Sequence, residues 1–123
     1  MLSFKTDTKE KFHEIMVLEH QLTANMTAEL TETLTTYLKS DVKNVILQMN
    51  EVDTIDETIA ETLVSMQTTF HENSASFVIC GVQQTVRDFL GEMEMLDFLN
   101  VTPTLSEAWD ILQMEEIERE LLN

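Results

Sequence analysis

Apolar residues along this chain switch repeatedly between short continuous runs and helical spacing. Val45-Ile46-Leu47-Gln48-Met49 is a partly β-branched run bounded by polar residues, which predicts a buried strand. Asn50-Glu51 ends it, and Val52 and Ile55 anchor a short connection carrying Asp53, Thr54, Asp56, Glu57 and Thr58. Ile59, Leu63, Met66 and Phe70 then stand at i, i+4, i+7 and i+11, the stripe of a helix beginning at Ile59. A strand thus feeds through an acidic, hydroxyl-bearing loop into a helix N-terminus, the place where α/β folds usually keep their function.

The same reading extends to both sides. Leu2 to Thr6 predicts a short edge strand, and Lys11 to Leu18 a second one. Glu19 to Asn25 is a polar connection, with Asn25 as the N-cap of a helix marked by Met26, Leu30, Leu34, Tyr37 and Leu38. After His71-Glu72-Asn73-Ser74, the run Ala75 to Cys80 reads as a strand covered on both faces, and Gly81 allows a tight exit. Val82, Val86, Phe89, Leu90 and Met93 mark a third helix, and Met95 to Thr102 holds a short final strand before Pro103. Thr104-Leu105-Ser106-Glu107 is a capping box opening a fourth helix, whose core stripe is Leu105, Ala108, Trp109 and Leu112. Ile111, Met114, Ile117 and Leu121 occupy a different face, so residues from about 114 read as a short acidic helical extension with its own apolar stripe. Strands separated by helices need crossover connections, so the sheet is expected to be largely parallel, with the first two strands antiparallel at one edge.

At 123 residues the chain reads as one domain, residues 1–123, and an apolar content of 43% is that of an ordinary globular protein. No apolar run approaches membrane-spanning length and the first residues lack the apolar core of a secretory signal, so the expected location is the cytoplasm. The single cysteine, Cys80, excludes an internal disulfide and reads as a buried inert thiol. The net charge of −16 is uneven: residues 1–43 hold five basic and seven acidic side chains, whereas residues 44–123 hold only Arg87 and Arg119 against sixteen acids. Such a surface argues against nucleic acid and anionic lipid, and fits either a basic protein partner or solubility alone.

The central stretch and the element order together resemble the STAS domain, the family of anti-sigma factor antagonists and of the cytoplasmic tails of sulfate transporters. The family motif is an apolar strand, a loop ending in Asp, two small hydroxyl or glycine residues, and usually Gly. Its counterparts here are Val45-Ile46-Leu47, then Val52-Asp53-Thr54-Ile55-Asp56, then Glu57-Thr58-Ile59. Leu18 to Leu30, Phe77 to Leu90 and Thr104 to Ala108 extend the resemblance over about residues 11–113. It implies an α/β fold of the STAS (SpoIIAA-like) type, a mixed four- to five-stranded sheet packed against about four helices. The second hydroxyl position, the phosphoacceptor of the antagonists, falls on Thr58. The departures are His20 and Thr23 in the earlier loop, Glu57 in place of a small residue, and Ile59 in place of Gly.

By that resemblance the chain is a non-enzymatic bacterial regulator that binds an anti-sigma factor with serine/threonine kinase activity. Phosphorylation of Thr58 would be its switch. Asp53, Asp56, Glu57 and Ile59, with Thr23 and Asn25 of the earlier loop, would form the partner surface. The alternative is a constitutive accessory or scaffold subunit, for example of a membrane lipid-transport ATPase, without phosphorylation; a homodimer is left open. Enzyme readings fail on inventory. Gly81 and Gly91 cannot make a phosphate loop, and His13, His20 and His71 are scattered and read as surface residues without metal-ligand spacing. No cofactor and no metal is expected. A receiver domain, also acidic and α/β, would need a late lysine, and none follows Lys43.

Overall fold

Apolar side chains pointing to opposite faces of one sheet organise the structure, a computed structural model that describes residues 2–122. The strands are β1 (Phe4–Thr8), β2 (His13–Val17), β3 (Gln21–Leu22), β4 (Val45–Gln48), β5 (Thr54–Ile55), β6 (Phe77–Cys80) and β7 (Val101–Thr102). The helices are α1 (Thr27–Thr36), α2 (Glu57–Glu72), α3 (Gln84–Glu92) and α4 (Leu105–Leu122). Five strands form one mixed sheet in the order β1-β2-β4-β6-β7. β1 and β2 are an antiparallel hairpin; every later pairing in that sheet is parallel.

Alternation along the strands decides which helix covers what. Ile15, Val17, Val45, Leu47, Phe77 and Ile79 face one side, where they meet Leu30 and Leu34 of α1, Ile59, Leu63, Met66 and Phe70 of α2, and Val86 and Leu90 of α3. Ile46, Val78 and Cys80 face the other, under Ala108 and Leu112 of α4, and Phe12 stacks on Trp109 with ring centroids 5.2 Å apart. β4 and β6 are therefore covered on both faces, which is why their sequences run apolar without a break. α4 is continuous to Leu122, so the residues from about 114 extend the same helix. Asn44 Nδ2 donates to Glu116 (3.2 Å), Asn100 Nδ2 to Glu115 (3.0 Å) and Arg119 to Ser76 Oγ (3.1 Å), tying that half of α4 to the body. Met114, Ile117, Leu121 and Leu122 remain exposed.

Three local expectations need correction. Asn25 does not cap α1: the chain enters through a 3-10 turn at Ala24–Met26, Met26 holds the cap position, and Asn25 is exposed. His13 is not a surface residue. It is buried, its ring 4.3 Å from that of Tyr37, with Nδ1 2.9 Å from Thr8 Oγ1 and Nε2 2.8 Å from the Val42 carbonyl. Finally, α2 begins at Glu57 rather than Ile59, because Asp56 caps it.

Gly81 stands where the exit from β6 requires glycine. Its φ is +71°, and a Cβ there would lie 1.6 Å from Asn50 Oδ1.

Candidate functional site: the loops beyond β2, β4 and β6

Parallel strands β2, β4 and β6 end on the same edge of the sheet, so the loops that follow them cluster there. The loop after β4 is held from both sides. Toward the first loop, β3 and β5 form a two-residue parallel ladder pairing Gln21 with Thr54 and Leu22 with Ile55. The Asp53 amide donates to the His20 carbonyl (2.7 Å) and the Asp56 amide to that of Leu22 (3.2 Å). Toward the third loop, Gln83 Nε2 donates to the Asn50 carbonyl and Thr85 Oγ1 to that of Asp53, both at 2.8 Å.

Asp56 is the joint of this arrangement. One carboxylate oxygen accepts the Ile59 amide at 3.0 Å, the N-cap bond of α2; the other accepts the Ala24 amide at 2.6 Å. One side chain thus satisfies an otherwise orphaned helical donor and fixes the loop before α1 against it. Its role is positional, and it is only partly exposed.

The remaining candidates separate by exposure. Glu57 and Thr58 occupy the first turn of α2 with their side chains exposed, and Asp53 is exposed beside them. Asp53 Oδ2 lies 3.5 Å from His20 Nδ1, which is also 3.1 Å from the Glu51 carbonyl. Thr23 is half-buried and Asn25 exposed on the adjoining loop. Ile59 does not belong to the surface: it is 0% exposed and packs in the core, so the assignment of Ile59 as a partner contact is corrected. A β-branched residue is accommodated at that position because it points inward, away from the loop.

Gln83 and Thr85 were not marked by any motif. Their only signal is position, directly after the strand that neighbours β4. The site's charge is negative, with Glu51, Asp53, Asp56, Glu57 and Glu61 on or beside the loop that carries Thr58. Among the described residues there is no group of three His, Cys, Asp or Glu side chains placed to hold a metal ion, and no helix long and apolar enough to cross a membrane.

The sequence profile of the STAS domain matches residues 5–108, which include this whole loop cluster. The chain belongs to the STAS domain family. No curated protein sequence matches this STAS domain. Solved structures do. It is similar to an anti-sigma factor antagonist of Mycobacterium paratuberculosis, with a TM-score of 0.78 at 9% identity over 92% of this chain and 95% of that one. It is similar to a serine-to-glutamate variant of RsbS from Moorella thermoacetica, with a TM-score of 0.75 at 16% identity over 94% and 97%. A third is the Bacillus cell fate determinant SpoIIAA in its phosphorylated form, with a TM-score of 0.64 at 13% identity over 88% and 97%. At these identities the likeness is one of fold, the SpoIIAA-like arrangement of a mixed five-stranded sheet and four helices.

Proposed function

We propose that this STAS domain is a non-enzymatic, cytoplasmic regulator of the anti-sigma factor antagonist kind, and that Thr58 is its phosphorylation switch. The observation that carries the reading is the exposed Thr58 hydroxyl in the first turn of α2, on a loop pinned to both neighbouring loops. Its partner is a protein that combines anti-sigma activity with a serine/threonine kinase. The γ-phosphoryl of ATP held by that kinase passes to Thr58 Oγ1, the hydroxyl proton leaves, and ADP is released. A separate phosphatase returns the hydroxyl by hydrolysis.

Physical chemistry supports both states. The free amides and dipole at a helix N-terminus stabilise a phosphate there. The phosphate adds about −1.5 to −2 charges to a surface already acidic at Asp53, Asp56 and Glu57. Beside those carboxylates the phosphate is a like charge, and its repulsion and desolvation cost weaken docking of the partner without any rearrangement of the core. The contact surface comprises Thr23 and Asn25, Asp53 and Glu57 around Thr58, with Asp56 holding the loops in register.

Mass spectrometry of the protein from its native cells, with pull-downs by wild type, Thr58→Ala and Thr58→Glu, tests this. Phosphate on Thr58 together with a partner lost by Thr58→Glu is the expected result. An unmodified Thr58 and a stable complex indifferent to both substitutions would overturn the switch and leave a constitutive subunit.

A further inference from the structure

β1 is an open sheet edge. It pairs only with β2 among the described residues, and Lys5 to Thr8 are exposed. An edge of this kind is a template for another strand. Which backbone groups it offers follows from the hairpin. The Leu18 amide donates to the Ser3 carbonyl (2.9 Å) and the Lys9 amide to that of Phe12 (2.8 Å). Both pairs continue the register that sets Lys5 opposite Met16 and Asp7 opposite Glu14. Hydrogen-bonded and non-hydrogen-bonded pairs alternate in an antiparallel ladder, so the odd-numbered residues of β1 turn their amides and carbonyls toward β2. Phe4, Thr6 and Thr8 turn theirs outward.

We propose that this edge is a homodimer interface, in which β1 pairs antiparallel with β1 of a second copy across a two-fold axis at Thr6. Charge selects that register. Outward groups meet only when even-numbered residues face even-numbered ones, which leaves two-fold axes at Lys5, Thr6 or Asp7 as the registers with substantial overlap. An axis at Lys5 sets lysine against lysine. An axis at Asp7 sets aspartate against aspartate and Lys5 against Lys9. An axis at Thr6 sets Lys5 against Asp7 of the second copy, twice by symmetry, and pairs Phe4 with Thr8. Directly opposed unlike charges stabilise a strand pair and like charges destabilise it. The two Lys5–Asp7 pairs fall at non-hydrogen-bonded positions, where opposed side chains lie closest.

The charge distribution over the whole chain favours the same edge. Two chains of net charge −16 repel, yet residues 1–43 carry five of the seven basic side chains, with Lys5, Lys9 and Lys11 on the β1–β2 hairpin. Asp7 already meets Lys9, just beyond the end of β1, at 2.7 Å and stays 59% exposed, open to Lys5 of the second copy. An interface built on this pattern is isologous and closes on itself, so it yields a dimer joined through one continuous sheet and no filament. Five-residue strands bury little surface, so the dimer is weak and forms at high protein concentration.

Sedimentation velocity on the full chain, from micromolar to millimolar, is expected to show a monomer–dimer equilibrium. Lys5→Glu creates two like-charge pairs per dimer and raises its dissociation constant by about tenfold or more. The exchange Lys5→Asp with Asp7→Lys restores association. Thr6→Pro deletes the central outward amide, a change that edge strands tolerate, and abolishes the dimer. Circular dichroism of each variant checks that the fold persists. A monomer throughout the series overturns the proposal, as does a dimer that neither Lys5→Glu nor Thr6→Pro weakens.

Discussion

Asp56 and Ala24 are 32 residues apart, yet the Asp56 carboxylate accepts the Ala24 amide at 2.6 Å while also capping α2 through Ile59. Removing that carboxylate affects both loops at once. Asp56→Ala is expected to cost about 1–2 kcal/mol through loss of the cap. Hydrogen exchange should accelerate at the Ala24 and Ile59 amides together, and chemical denaturation gives the stability change. Acceleration at Ile59 alone would show that the link to the first loop contributes nothing.

Thr58 and Ile59 are neighbours with opposite duties. Thr58→Ala removes an exposed hydroxyl and should shift stability by no more than about 0.5 kcal/mol. Ile59→Ala empties a fully buried site in the main core and should cost about 2–5 kcal/mol. Thermal and urea unfolding of the pair measures the contrast. Equal effects would contradict the inward placement of Ile59.

Gly81 should resist replacement. The left-handed backbone alone costs about 1–2 kcal/mol for an L-residue, and the Asn50 side chain, whose Oδ1 is 1.6 Å from the position of a Cβ, must also move. Gly81→Ala is therefore expected to destabilise the protein and to loosen the loop that Gln83 ties to the Asn50 carbonyl. Unfolding midpoints and amide exchange across residues 50–56 provide the readout.

Burial beneath α4 pushes the Cys80 thiol up to about 11, with the Glu14 carboxylate adding to the shift. The native state keeps its proton above the unfolded value of 9.0, so this group's contribution is fully present below pH 9 and is lost as pH rises toward 11. Stability should fall across that window more steeply in wild type than in Cys80→Ala. At pH 8 the native thiol should react with a disulfide reagent far more slowly than the urea-unfolded chain. A comparable rate in both states would contradict the burial.

The large elements were legible because each is written in local apolar spacing. β4 and β6 are short unbroken runs, and Ile59, Leu63, Met66 and Phe70 define the buried face of α2. That stripe puts Ile59 in the core, and periodicity prevails there over the motif position, which alone points to a surface contact. The β3–β5 ladder could not be read, since two-residue strands 33 positions apart leave no periodic trace. The burial of His13 is hidden for a related reason: the groups that make it tolerable, Thr8, Tyr37 and the Val42 carbonyl, are brought to it only by the tertiary fold. Asn25 had the right chemistry for a cap, but the chain turns into α1 one residue later, through Met26.

The way α4 is fastened has a consequence for how the molecule breathes. Ala108 and Leu112 are its fully buried side chains, Leu105, Trp109 and Ile111 pack half-buried around them, and polar links through Glu115, Glu116 and Arg119 hold the far half. A helix resting on the smaller of the two apolar clusters belongs at the low-stability end of the fold and detaches before the three-helix face opens. Detachment uncovers Ile46, Val78 and Cys80 together. The lone thiol is therefore a built-in clock: under conditions where labelling outpaces reclosing, its alkylation rate counts how often the helix lifts from the sheet.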